Sequence, residues 1–215
     1  MTDFLPLMLD LQEKEVVIFG GGEVGERKAI LFCDHSKVTV LSREFTDGLK
    51  ELSDKGKITT VQVKDLTENE IKLHLKNTFI VIPATNDRVL NEKIANIADS
   101  NGIFVNRVDG PGDIIVPSII RRGNITIGIS TYGHSPGLSK YIRERIEEVI
   151  TPEFAEMSRL QNEIREILKS SVKDQKKRKE ILWNILNDND VWSAFKQSYE
   201  KAYMIASKHI SEDQE

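Results

Sequence analysis

The chain has 215 residues, 39% hydrophobic and 30% charged, with 30 Lys+Arg against 34 Asp+Glu for a formal net charge of −4. That balance supports a buried core under a charged surface, excludes a disordered or collagen-like polymer, and gives no overall positive field for nucleic acid or an anionic membrane. With no run near the ~20 apolar residues of a bilayer span, no signal-peptide pattern at the start and a single cysteine, Cys33, that excludes an intramolecular disulfide, a cytoplasmic protein of one principal domain plus a smaller one is expected.

Up to about residue 107, short β-branched runs alternate with longer amphipathic segments. Residues 16–19 (Val-Val-Ile-Phe), 38–41, 58–63, 79–82 and 103–105 read as strands. Helical spacing between them is clearest at Val89-Leu90, Ile94 and Ile97-Ala98. Strands that are continuously apolar and alternate with helices predict an α/β fold, a parallel sheet buried on both faces. The pattern changes after residues 109–112 (Asp-Gly-Pro-Gly). Ile114-Ile115-Val116 and Ile119-Ile120 form one apolar stretch, and Pro117 inside it predicts an edge strand or a break. Arg121-Arg122-Gly123-Asn124 supplies turn chemistry, and the alternation over 125–129 completes a hairpin-like signal.

Ser135-Pro136 reads as N-cap and first residue of a helix carrying Leu138, Ile142, Ile146 and Val149 on one face. Hairpin and helix together offer apolar faces beyond the needs of the sheet, which predicts a homodimer. From Thr151 onward the chain reads as charged helices with three apolar stripes. The first holds Phe154, Met157, Leu160, Ile164, Ile167 and Leu168; the second Ile181-Leu182 and Ile185-Leu186; the third Val191, Phe195, Ala202 and Ile205-Ala206. Polar residues 187–190 separate the last two, and the basic run 173–179 reads as a solvated helix face.

Residues 20–25 (Gly-Gly-Gly-Glu-Val-Gly) place Gly20, Gly22 and Gly25 in a Gly-x-Gly-x-x-Gly pattern directly after an apolar strand and before a helix read over 27–33. There Gly20 permits a tight turn, Gly22 lets the backbone approach a pyrophosphate, and Gly25 lets the helix pack on the strand. The helix N-terminus supplies unpaired N–H groups to the anion. The competing reading is a glycine-rich turn without a nucleotide. An NAD site usually has an acidic residue ending the second strand; here the residues are Ser42, Arg43 and Glu44. Ser42 and Arg43 suit a 2′-phosphate and Glu44 sits slightly late for a ribose, so the residues leave NAD and NADP open. Ligands bind outside the carboxyl ends of the strands, where Thr85-Asn86-Asp87 and Asn106-Arg107-Val108-Asp109 converge.

Several separate stretches resemble the precorrin-2 dehydrogenase family of sirohaem synthesis. They are Leu5-Pro6-Leu7 with the run 20–29, residues 84–87, residues 106–109, residues 116–120, and Gly133-His134-Ser135-Pro136. The likeness is collinear from about residue 5 to 150, resembles the stand-alone form rather than a fused sirohaem synthase, and beyond 150 extends only to helical character. It implies oxidation of precorrin-2 to sirohydrochlorin with NAD, and in some members Fe²⁺ insertion as well. It also implies an N-terminal Rossmann domain (1–112), a central dimerisation segment (113–150) and a small helical C-terminal domain (151–215).

The resemblance tips the cofactor to NAD, with Glu23, Val24, Arg43 and Glu44 at nucleotide-contacting positions; Thr85, Asn106 and Val108 fall at the nicotinamide end by their strand-end place, independent of the family. Asp109 matches the family's catalytic aspartate, as a general base or as a holder of pyrrolic N–H groups. A polycarboxylate substrate calls for cations, Arg107 first, then Arg121, Arg122, Lys140 and Arg143. Ser130, Thr131, His134 and Ser135 stand as substrate contacts beside a helix N-terminus, although Ser135 is equally an N-cap and His134 equally a solvated loop residue. His35, His74 and His209 are scattered, and no permanent metal site is expected. Two other readings stay open: a bifunctional enzyme that also inserts Fe²⁺, and a non-catalytic NAD-sensing module acting through its helical tail.

Overall fold

The computed structural model describes residues 4–110 and 112–211. The chain divides into two compact units between Val116 and Pro117. In the first, β1 (Glu15–Phe19), β2 (Lys37–Ser42), β3 (Thr59–Gln62), β4 (Thr78–Pro83) and β5 (Phe104–Val105) form a parallel sheet of order β3-β2-β1-β4-β5. Helices α1 (Glu23–Phe32), α2 (Asp47–Asp54), α3 (Glu68–His74) and α4 (Arg88–Asp99) connect them. The α/β parallel sheet expected from the apolar runs is therefore present, of the Rossmann type that the resemblance implies.

The alternation of β1 shows why both faces must be covered. Val16 and Ile18 pack with Ala29, Phe32 and Leu49 of α1 and α2. Val17 and Phe19 point the other way, into Ile71, Leu75, Ile94 and Ala98 around α3 and α4. All four strand residues are buried, so the run carries no polar position. Ile114 and Val116 pack into the face shared with α1. This carries the first unit past the boundary expected at residue 112.

In the second unit β6 (Ser118–Arg122) pairs antiparallel with β7 (Ile125–Ile129). Arg122 pairs with Ile125, leaving Gly123-Asn124 as a two-residue loop, with Gly123 at a φ of 56°. The strand starts directly after Pro117, the break that proline predicts. Arg121 and Arg122 belong to β6 rather than to the turn, which needs only the two residues that follow. The hairpin is followed by α5 (Pro136–Val149), α6 (Glu153–Ser171), α7 (Gln175–Asn187), α8 (Asn189–Phe195) and α9 (Tyr199–Ser211).

Met157, Leu160, Ile164, Leu168, Ile181, Ile185, Val191, Ala194, Ala202 and Ala206 form the helical core. The third apolar stripe is split between α8 and α9, not carried on one helix. Arg122 donates from Nε to the Ile150 carbonyl (3.0 Å), and a Cβ at Gly123 would touch Ala155. The first contact ties β6 to the end of α5 and the second sets the hairpin against α6, within one compact unit that starts at Pro117. No helix among the described residues is long and apolar enough to cross a membrane.

Candidate active site

The order β2-β1-β4 makes the end of β1 the place where successive connections leave in opposite directions, and a crevice opens at such a point. Gly20 turns the chain there at a φ of 125°, and its N–H donates to the Leu41 carbonyl (2.8 Å). A side chain at Gly20 would overlap the Ala84 carbonyl at the end of β4, and one at Gly25 would overlap Gly20. The helix expected from residue 27 starts at Glu23, because Gly22 already serves as its N-cap.

Gly22 differs from its neighbours. It is exposed, with φ −85° and ψ −172°, no side chain caps the first turn of α1, and a Cβ there would meet nothing within 4 Å. The result is an uncapped helix N-terminus with its backbone bare toward open space, which fits the pyrophosphate of a dinucleotide. Val24 is half-buried and Glu23 exposed on the same first turn.

At the end of β2, Arg43 donates from Nε to the Lys64 carbonyl (2.7 Å) and pairs with Asp65 (3.2 Å). Both charged partners are largely exposed, so the pair is weak and readily exchanged for another anion. Glu44 is exposed beside it, and its carbonyl lies where a side chain at Gly21 would have to go. Gly21 is thus a fourth required glycine, one the Gly-x-Gly-x-x-Gly pattern leaves unspecified.

Beyond β4, Thr85 is locked by Asn91. Its hydroxyl (2.7 Å) and its N–H (3.0 Å) both donate to Asn91 Oδ1, while Asn91 Nδ2 donates back to the Thr85 carbonyl (2.9 Å). Asp87 caps α4 through Val89 N–H and Leu90 N–H. Asn91 is one of the few buried polar side chains. Sequence reasoning passed it over, although an amide on the apolar face of a helix is the signal that could have found it.

Beyond β5, Asn106 is 3% exposed and fully engaged. Its N–H donates to the Val81 carbonyl (3.0 Å), Nδ2 donates to the Ile114 carbonyl (2.8 Å), and Oδ1 accepts from the Lys28 ammonium (2.7 Å). Such a residue shapes the crevice from beneath. Burial, with repulsion from Arg27 added, holds the Lys28 pKa below the ordinary lysine value. Arg107 binds Glu92 of α4 (2.7 Å) with its guanidinium mostly covered. Val108 and Asp109 stand exposed at the tip of the loop that follows.

The remaining predicted residues lie in the second unit. Thr131 donates its hydroxyl to the Ser135 carbonyl (2.9 Å) and accepts from Ser135 N–H (3.1 Å). Ser130 Oγ accepts from Tyr132 N–H (3.0 Å), and Ser135 Oγ caps α5 by accepting from Leu138 N–H (3.3 Å). Turn and cap thus occupy these hydroxyls, while the His134 side chain is exposed. The cations there are engaged within their own unit as well: Arg143 with Glu147, Lys140 with Glu144, and Arg122 with carbonyls. Among the described residues no group of three or more His, Cys, Asp or Glu is arranged to hold a metal ion.

A family model described as NAD(P)-binding matches residues 7–118, the stretch that holds the parallel sheet. The precorrin-2 dehydrogenase of Methanosarcina barkeri is 49% identical over 215 residues, covering 97% of this chain and 96% of that protein. The chain belongs to the precorrin-2 dehydrogenase family. The siroheme synthase of Nitrosococcus oceani is 33% identical over 183 residues, and the chain spans 38% of that longer relative. A solved structure, SirC, precorrin-2 dehydrogenase, superposes with a TM-score of 0.75 at 24% identity, over 98% of this chain and 99% of that one. The fold of this precorrin-2 dehydrogenase family chain is therefore the SirC fold along nearly its whole length.

Proposed function

We propose that the chain oxidises precorrin-2 to sirohydrochlorin with NAD. The observation that carries this reading is the bare N-cap at Gly22, set at the same strand ends as Thr85 and the Asp109 loop in a chain that is 49% identical to a precorrin-2 dehydrogenase. Bound NAD supplies a hydride acceptor. The chain supplies the rest. The first N–H groups of α1 and the bare Gly22 backbone hold the pyrophosphate, with Gly20 and Gly25 shaping the turn. Glu23, Val24, Arg43 and Glu44 line the adenosine side, and Thr85, Asn106 and Val108 frame the nicotinamide end.

Dehydrogenation across a CH–CH bond removes a hydride and a proton together. With a hydride acceptor bound, Asp109 would accept the proton or hold the pyrrolic N–H groups in line. Arg107, poised on Glu92, is the cation best placed to exchange its partner for a substrate carboxylate. Ser130, Thr131, His134 and Ser135 serve the substrate side through loop backbone and the exposed imidazole. An alternative reading adds Fe²⁺ insertion in the same pocket, with Asp109 as proton acceptor. Residues 113–150 form the dimerisation segment and 151–215 the helical domain of a cytoplasmic homodimer, where a free Cys33 thiol suits a reducing compartment.

The test is anaerobic incubation of the purified protein with precorrin-2 and NAD, following NADH absorbance. NADH formed in step with sirohydrochlorin supports the reading, and no NADH above the protein-free control overturns it. Sirohydrochlorin with Fe²⁺ and without NAD separates the second activity, which requires sirohaem formation faster than the spontaneous rate.

A further inference from the structure

Lys28 lies in the second turn of α1, half-buried, and no carboxylate within ion-pair distance balances it among the described residues. A half-buried ammonium held by a neutral amide is costly compared with an apolar side chain of similar length. What it holds is the neck of the Asp109 loop. Val105 N–H donates to Asp113 Oδ2 (3.0 Å), Ile114 N–H donates to the Val105 carbonyl (3.4 Å), and Asn106 Nδ2 donates to the Ile114 carbonyl (2.8 Å). A side chain at Gly112 would overlap the Val105 carbonyl, so the returning strand of the loop runs backbone against backbone. Ile114 of this neck packs on the apolar face shared with α1, and the hydrogen bond from Lys28 to Asn106 adds a polar tie between the neck and that helix.

We propose that Lys28 is a positioning residue: acting through Asn106, it ties the helix that carries the dinucleotide to the loop that carries Asp109, and so sets the rate of the chemical step rather than the affinity for NAD. The proposal rests on the dehydrogenase reading above. A lysine that served only the packing of α1 would affect stability and nucleotide binding together. A lysine that served the loop would change kcat and leave both the dinucleotide turn and β1 as they were.

The experiment compares wild type, Lys28→Met, Lys28→Arg, Asn106→Ala and the Lys28→Met/Asn106→Ala double variant. In nucleotide-free protein, hydrogen exchange at the Val105 and Ile114 amides should accelerate roughly tenfold or more in Lys28→Met, with β1 amides unchanged. By calorimetry its Kd for NAD should stay within about twofold, while kcat with precorrin-2 falls roughly 10- to 100-fold. Lys28→Arg, which keeps a donor, should recover most of that loss, and the double variant should be no slower than Asn106→Ala alone. Unchanged exchange at the loop neck, an unchanged kcat, or additive losses would overturn the proposal. Should Asn106→Ala fail to fold, exchange and kcat in the two Lys28 variants decide it. A wild type that makes no NADH would sink the dehydrogenase reading instead, and the exchange measurement would still show whether Lys28 holds the loop.

Discussion

Gly21 and Gly22 are neighbours of the same type under opposite constraints. A side chain at Gly21 would run into the Glu44 carbonyl and the Ser42 side chain, whereas one at Gly22 would meet open space. Gly21→Ala should therefore cost about 1–3 kcal/mol of stability by overpacking, read as a lower urea midpoint with an unchanged slope. Gly22→Ala should leave the midpoint nearly where it was. The glycine turn itself was legible, since a strand run, three spaced glycines and a following helix lie within one short stretch. The partners of the site residues were not. Lys28 meets Asn106 across 78 positions, and Arg107 meets Glu92 across a helix. Such pairings exist only once the sheet order has brought β5 beside β4. For the same reason Thr85, read as open to a cofactor, turned out to be locked onto Asn91.

Between α7 and α8 a single residue performs three tasks. Asp188 ends α7, caps α8 by accepting from Asp190 N–H (2.8 Å) and Val191 N–H (3.4 Å), and binds His209 Nε2 (2.8 Å) on α9. Burial pushes its carboxyl up, but the His209 ring and the two N–H groups outweigh that and hold it below the usual aspartate range. Its ionised form thus favours the folded state. That contribution is present above the ordinary aspartate value and is lost as pH falls through the lowered one. Asp188→Ala should cost about 1–3 kcal/mol in denaturant melts and flatten the acid limb of stability. Asp188→Asn, which keeps the cap but not the charge, should lose less; equal losses in the two variants would show that the cap contributes nothing. The polar stretch 187–190 announced this junction in the sequence. The second break, between α8 and α9, carried no comparable signal, so the stripe from Val191 to Ala206 read as one helix.

The parallel sheet and the two-faced core of the first unit followed from continuous apolar strands alternating with helices, a pattern that leaves few other arrangements. The second unit was less legible, because its apolar faces are not used up within the chain. No residue of α5 is buried, and Leu138, Tyr141 and Val149 stay 48%, 59% and 68% exposed. An amphipathic helix left so bare is the surface that the proposed homodimer would bury. Light scattering at micromolar concentration should give a dimer for wild type and a monomer for Leu138→Glu/Val149→Glu; an unchanged mass in the variant would place the interface elsewhere. All of the proposed chemistry stands on a dinucleotide seated at the N-terminus of α1. Calorimetric titration of NAD into the whole protein and into Gly22→Val tests that directly. The account predicts saturable binding by wild type and at least a roughly tenfold weaker Kd in the variant, about 1.4 kcal/mol, at a nearly unchanged melting temperature. Equal affinity in the two proteins, or no binding by either, would contradict it.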